Sequence, residues 1–157
     1  MEANTQPIDD VITQKSIEFP INSIEQLDLL ENELINVDFA TALVKKFSKI
    51  SGTSGTQKIG KIGLQISKYF FTDELLNHFT WKGIKGSSKP PFMPYVNIRN
   101  CFYKIVHLAD NSCSAFEVDS FLQNSAIKHS GQRIKRNSRR HASHNKMFHE
   151  NSDYSPM

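Results

Sequence analysis

From Phe19 to Leu108 the apolar residues of this 157-residue chain recur every third or fourth position, a period that admits little besides helices. Ile24, Leu27, Leu30 and Leu34 form one stripe. Asn22 or Ser23 is placed to cap it, Glu25 and Asp28 put negative charge in its first turn, and Phe19 can staple onto it from outside. Asn36 and Asp38 interrupt and recap the chain. Phe39, Leu43, Phe47 and Ile50 then make a second stripe, which "SGTSG" stops. Ile59, Ile62, Ile66, Tyr69 and Phe70 predict a third helix, although Gly60 and Gly63 each cost about 1 kcal/mol relative to alanine. One turn apart, those two glycines suit the close approach of another helix. "TDELLNHF" starts afresh with Thr72 as cap, and Tyr95, Ile98, Phe102, Ile105 and Leu108 give the last stripe behind Pro94. The expected fold is all-α, a small bundle of four to five short helices over residues 19–108.

Outside that stretch the pattern fades. Residues 1–18 are polar and acidic and read as a disordered arm. After Ala109 the period decays, "CSAFEVDSFLQNSAI" has room for a short turn of helix, and 109–157 reads as a mostly disordered tail. This unevenness explains why hydrophobic residues make up only 38% of the chain.

Charge is equally uneven. Residues 1–38 hold nine acids and one base, 39–109 eleven bases and two acids, and 128–146 seven bases and no acid, although the net charge is only +3. Such blocks suit a polyanion, an acidic partner, or the chain's own acidic arm. The cluster "KHSGQRIKRNSRRHASHNK" is densest at Arg133, Lys135, Arg136, Arg139 and Arg140, a composition that fits nuclear import or phosphate-backbone contact. Ser143, behind two arginines, suits a basophilic kinase, whose phosphate would weaken either role. A second basic face is expected from Lys45, Lys46 and Lys49 together with Lys82, Lys85 and Lys89, joined by Lys58, Lys61 and Lys68.

The single tryptophan, Trp81, lies among those loop lysines in "FTWKGIKGSSKPP". It could stack on a base, but its place just past a predicted helix fits a ring folded back over the core as a structural anchor.

Other chemistry is poorly supported. "GTQKIGKI" approaches the phosphate-loop pattern G-x-x-x-x-G-K-[ST], but Ile62 replaces the hydroxyl residue and no strand is expected ahead of it. Cys101, His107 and Cys113 are spaced C-x₅-H-x₅-C, wider than the paired ligands of zinc sites. Two cysteines make no disulfide framework and read as free thiols of a reducing compartment. No G-x-S-x-G elbow is present. An enzyme would need a deep cleft uniting residues such as Asp73, His78 and Cys101. No catalytic residue, cofactor or metal is expected.

Together, "FPINSIEQLDLLENELINVDFATALVKKFSKISG" and "ISKYFFTDELLNHFTWKGIKGSSK" resemble an uncharacterised arthropod helical domain family, known only as a domain of unknown function. The resemblance covers about residues 19 to 106. It rests on the F-P start (Phe19, Pro20), the leucine-rich first helix (Leu27, Leu30), Phe39, Leu43 and Gly52, the T-D-E-L segment with Phe71, Asp73, Glu74 and Leu75, and F-x-W-x-G (Phe79, Trp81, Gly83). It implies a compact all-helical module, often one part of a longer nuclear or transposon-related protein, without established activity.

The expected function is a non-enzymatic nuclear interaction module that binds a protein partner and, non-specifically, DNA or RNA. The alternative is a protein-only adaptor or homodimerisation domain. No apolar run reaches the roughly 18–20 residues that span a bilayer, and "MEANTQPIDD" lacks a secretory signal's apolar run, so the expected compartment is the nucleus, with the cytoplasm as alternative.

Overall fold

The structure, a computed structural model, describes residues 17–152, and the surroundings of side chains as far as Ala142. The expected arm at 1–18 lies almost wholly outside the described residues. Among the described residues seven α-helices follow one another: α1 (Ile24–Glu33), α2 (Val37–Ser51), α3 (Ile59–Phe70), α4 (Asp73–Leu76), α5 (Val96–Ala109), α6 (Ala115–Phe121) and α7 (Ser130–Ser152). A π-helical segment, Leu122–Ile127, joins the last two. Among the described residues there is no strand, only isolated bridges such as Ile21 to Phe71.

Helix starts follow local chemistry where a short polar side chain is at hand. Ser23 caps α1, Asn36 caps α2, Thr72 caps α4, and Ser114 with Glu117 forms a reciprocal capping box on α6. Helices α3 and α5 have no side-chain cap of their own. Their free N–H groups take carboxylates from elsewhere. Asp110 Oδ2 accepts from Ile59 at 3.1 Å, and the two Glu31 oxygens accept from Asn97 and Ile98 at 2.8 and 2.9 Å.

The core is built around α5, whose Ile98, Cys101, Phe102, Ile105, Val106 and Ala109 are all buried. A run of rings ties the helices to it. Phe19 meets Phe47 and Phe70 edge-on at 5.1 and 5.4 Å, Phe70 meets Phe102 at 5.9 Å, and Phe121 stacks over Phe102 at 6.3 Å. The segment ahead of α1 is stitched alongside 70–72: Ile21 N–H donates to Phe70 O and Thr72 N–H to Ile21 O.

The all-α expectation is met, with more helices than expected. The five expected helices correspond to α1–α5, and the additional ones come from the region read as a mostly disordered tail. From Ala115 on, the described part of that region is helical, and it is docked as far as about Ile134, with Val118, Leu122, Ala126 and Ser130 buried at steps of four. A π turn, in which Lys128 N–H reaches back to Gln123 O, keeps that run of fours on one side longer than a straight α-helix would. Small residues hide the packing: Ser130 is buried with its hydroxyl on Ile127 O, and a Cβ at Gly131 would lie 3.2 Å from Asn77 Oδ1. Close approach at the glycine pair is real at Gly63, where an added Cβ would lie 2.7 Å from the Phe121 ring, but Gly60 faces open space. Three residues assigned to the core stripes, Ile50, Tyr69 and Leu108, are exposed, each near the C-terminal end of its helix.

Candidate functional site

The basic cluster is carried by a helix. Spanning 23 residues, α7 is roughly 35 Å long at 1.5 Å per residue. Its first turns are anchored by Arg133, whose Nε donates to Asp73 Oδ1 at 2.7 Å, Nη1 to Ser125 O at 3.0 Å, and Nη2 to Ala126 O. Two of those acceptors are carbonyls at the end of the π segment, and the Ser125 oxygen accepts from His129 N–H as well. Of the five predicted cluster residues, Arg133 is therefore engaged inside the fold, while Lys135, Arg136, Arg139 and Arg140 are exposed.

Arg136 and Arg140 lie one turn apart and line a cleft of about 370 Å³ between α3, α4 and α7. Its opposite wall carries Lys68, and its apolar floor and rim are Pro20, Leu64 and Phe71. Once the Arg133–Asp73 pair is set aside, three cations face a single acid, Glu74. Lys135 and Arg139 form a second like-charged pair one turn apart. Such i,i+4 pairs disfavour the helix by about 0.2–0.5 kcal/mol each unless an anion lies between them. Asp73 lines this cleft, but neither His78 nor Cys101 does.

The six lysines of the expected basic face are divided. Lys45 lies beside Lys104 and Leu108 in a shallow groove between α2 and α5, floored by Ala40 and Val44. Lys46 holds its ammonium 5.7 Å over the Phe19 ring. Lys89 lines a separate cleft with Lys128, Asn77, Gln123 and Asn124. Lys82, Lys85 and Lys89 belong to an exposed loop, with Gly83 and Gly86 at positive φ, closed at its base by bonds from Phe92 N–H to Thr80 O and Met93 N–H to Trp81 O. None of these three clefts holds lysines from both α2 and the loop.

Trp81 is 9% exposed, stacked on Phe92 at 6.1 Å, with the Arg99 guanidinium 5.2 Å from its ring centroid. Arg99 is itself fixed by two bonds to Asp119, at 3.0 and 2.7 Å, and one to Met93 O. A ring so enclosed packs the loop base onto the core, and only the small exposed part of it lines the cleft beside Lys89 and Lys128.

Asp110 rules the phosphate-loop reading out of this geometry. The N–H of Ile59, at the start of α3, already donates to its carboxylate. Ser112 adds its hydroxyl at 2.6 Å and its N–H at 3.1 Å, and the carboxyl is held below its ordinary range, first by that hydroxyl. A fixed negative charge at that position repels phosphate. One sequence signal points to Asp110: an acid immediately after a helix C-terminus opposes the helix dipole, so it is expected to serve another element.

Burial pushes the Cys101 thiol up to about 12 and the Cys113 thiol up to about 11, so both stay protonated and inert. His107 Nδ1 lies 3.3 Å from the Cys113 carbonyl oxygen. Among the described residues no three His, Cys, Asp or Glu side chains are grouped to hold a metal, and no helix is long and apolar enough to cross a membrane.

A family model described as a domain of unknown function, DUF4806, matches residues 13–105. The chain belongs to this family. No curated protein and no solved structure matches it. Among the described residues the DUF4806 match runs from the segment ahead of α1 through most of α5, and α6, the π segment and α7 follow it. The quoted motifs have physical roles in this fold. Phe19 seats on Phe47 and Phe70, Thr72 accepts from Leu75 N–H at 3.2 Å, and Gly83, at φ 80°, lets the loop leave Trp81 with its N–H on Thr80 Oγ1.

Proposed function

We propose that this DUF4806 protein is a non-enzymatic nuclear interaction module. Its α7 helix holds DNA or RNA non-specifically by the phosphate backbone, through Lys135, Arg136, Arg139 and Arg140 with Lys68 across the cleft. A protein partner docks elsewhere on the helical surface. The observation that carries this reading is α7 itself, which has exposed like-charged pairs one turn apart and no acid between Lys128 and Lys146. An exposed cationic helix face suits backbone contact without base readout. The test is retention on heparin and on random-sequence DNA over a salt series. Affinity should fall steeply between low and moderate salt, and Arg136→Ala with Arg140→Ala should flatten the slope. Binding indifferent to salt, or to both substitutions, overturns it.

One observation favours the second reading, a protein-only adaptor or homodimer. At the edge of its buried face helix α2 carries Ala40 and Val44, half-buried, into a groove beside the exposed Leu108 of α5, and Val37 is exposed at its start. Affinity purification with and without nuclease separates the two readings. Partners lost on nuclease treatment were bridged by nucleic acid, and partners retained with wild type but lost with Val44→Glu use the α2–α5 groove.

A further inference from the structure

We infer that the cleft between α3, α4 and α7 is a docking site for the chain's own N-terminal segment, residues 1–16, which covers Arg136 and Arg140. The competition with polyanion that this implies rests on the reading above, whereas the docking itself does not.

The cleft has two characters at once. Lys68, Arg136 and Arg140 make it cationic, and Pro20, Leu64 and Phe71 make it apolar. Leu64, like Tyr69, is a large apolar side chain left exposed on α3, and it lines the cleft with Pro20 and Phe71. A bare phosphate backbone would satisfy only the cations. An acidic segment with apolar residues among its acids satisfies both.

Residues 1–16 have that composition. Glu2, Asp9 and Asp10 stand against one base, Lys15, and Ile8, Val11 and Ile12 flank the acid pair. The described chain also begins at the cleft. Ile17 is buried, Phe19 is fixed between Phe47 and Phe70, and Pro20 is part of the cleft wall. Asp10 precedes Ile17 by seven residues, a reach of up to about 25 Å, whereas Arg133 to Arg140 rises only about 10 Å along α7. A tether this short gives an effective concentration of about millimolar, so a contact too weak to persist between separate molecules is held within one chain.

The test uses the full chain with Thr13→Cys carrying a nitroxide, the native thiols being buried. Backbone amide signals of Leu64, Lys68 and Arg136 should broaden, and those of Ala40 to Ser48 on α2 should not. Arg136→Glu with Arg140→Glu should abolish the broadening, as should Asp9→Lys with Asp10→Lys, and the latter pair should raise heparin affinity several-fold. Undisturbed cleft signals overturn the inference. So does broadening that survives both charge reversals, or broadening seen only between spin-labelled and isotope-labelled copies, which would make the occupant a second molecule. If broadening occurs but wild type and Asp9→Lys/Asp10→Lys both ignore DNA and heparin, the docking stands and the nucleic-acid reading falls.

Discussion

Arg133 Nε lies 2.7 Å from Asp73 Oδ1, joining the first basic residue of α7 to the first residue of α4 across sixty positions of sequence. This pair separates one arginine of the cluster from its neighbours. Arg133→Ala should destabilise the fold by about 1–2 kcal/mol, the lower part of the range for charged hydrogen bonds because both side chains keep some solvent contact. It should leave the salt slope of polyanion binding nearly unchanged. Arg136→Ala or Arg140→Ala should do the reverse, keeping the urea midpoint and lowering the slope by about 0.9 per residue. Equal effects of Arg133 and Arg136 on the slope would show that the pair does not hold in solution.

Two like-charged pairs, Lys135 with Arg139 and Arg136 with Arg140, make α7 a helix under electrostatic tension. A bound polyanion removes a repulsion of about 0.2–0.5 kcal/mol per pair and should favour the helical form of its outer turns. Circular dichroism at 222 nm should therefore deepen on titration with heparin, and the gain should shrink when Arg139 and Arg140 are both replaced by Gln. A spectrum unchanged at saturating heparin would mean that the outer turns gain nothing from the anion.

How much of this was legible in the sequence depends on where each constraint comes from. Local rules located α1 to α5 by their apolar stripes, helped at α1, α2 and α4 by Ser23, Asn36 and Thr72, each of which sits one residue ahead of its helix and caps it. Local rules could not reveal Glu31 capping α5 or Asp110 capping α3, because those bonds join residues more than fifty positions apart. The docking of α6 and α7 was hidden for a related reason. It is made with Ala126, Ser130 and Gly131, residues that carry little apolar signal and act by letting backbones approach. The lysines could be counted in the sequence but not placed: Lys45 lines the α2–α5 groove and Lys89 the cleft beside Lys128.

Gly60 and Gly63 are both in α3, yet they should respond oppositely to alanine. At Gly60 a methyl group meets nothing, so Gly60→Ala should gain up to about 1 kcal/mol of helix propensity, a rise of roughly 2–4 °C in Tm for a chain of this size. At Gly63 the methyl would lie 2.7 Å from a Phe121 ring that is already stacked on Phe102. Overpacking of that kind costs about 1–3 kcal/mol, enough to cancel the propensity gain and lower Tm. Thermal melts of the two variants decide the matter, and a stabilised Gly63→Ala would mean that α6 is not seated on α3 as described.

Asp110 should give the fold an acid-sensitive component. Its carboxyl is held below the ordinary value of 3.8 by Ser112 and the Ile59 N–H, so the folded state binds this proton less readily than the unfolded one. For a depressed carboxyl the stabilisation is complete above the unfolded value and is lost as pH falls through the folded one. Asp110→Asn should therefore lower the urea midpoint at pH 7, and the gap to wild type should narrow as pH drops below about 5. A gap constant down to pH 2 would place the effect of the substitution in packing and not in charge.

Trp81 gives a direct test of the proposed nucleic-acid contact. Enclosed by Phe92 and the Arg99 guanidinium, its indole should emit as a buried ring and resist acrylamide quenching. Backbone contact through α7 leaves that enclosure intact, so adding DNA should change neither property. Arg99→Ala removes the cover and also frees Asp119, which should shift the emission to longer wavelength and loosen the loop that carries Lys82, Lys85 and Lys89. If DNA quenched Trp81 in the wild-type protein, the ring would be stacking on bases, and the lysine loop, not α7, would be the principal contact.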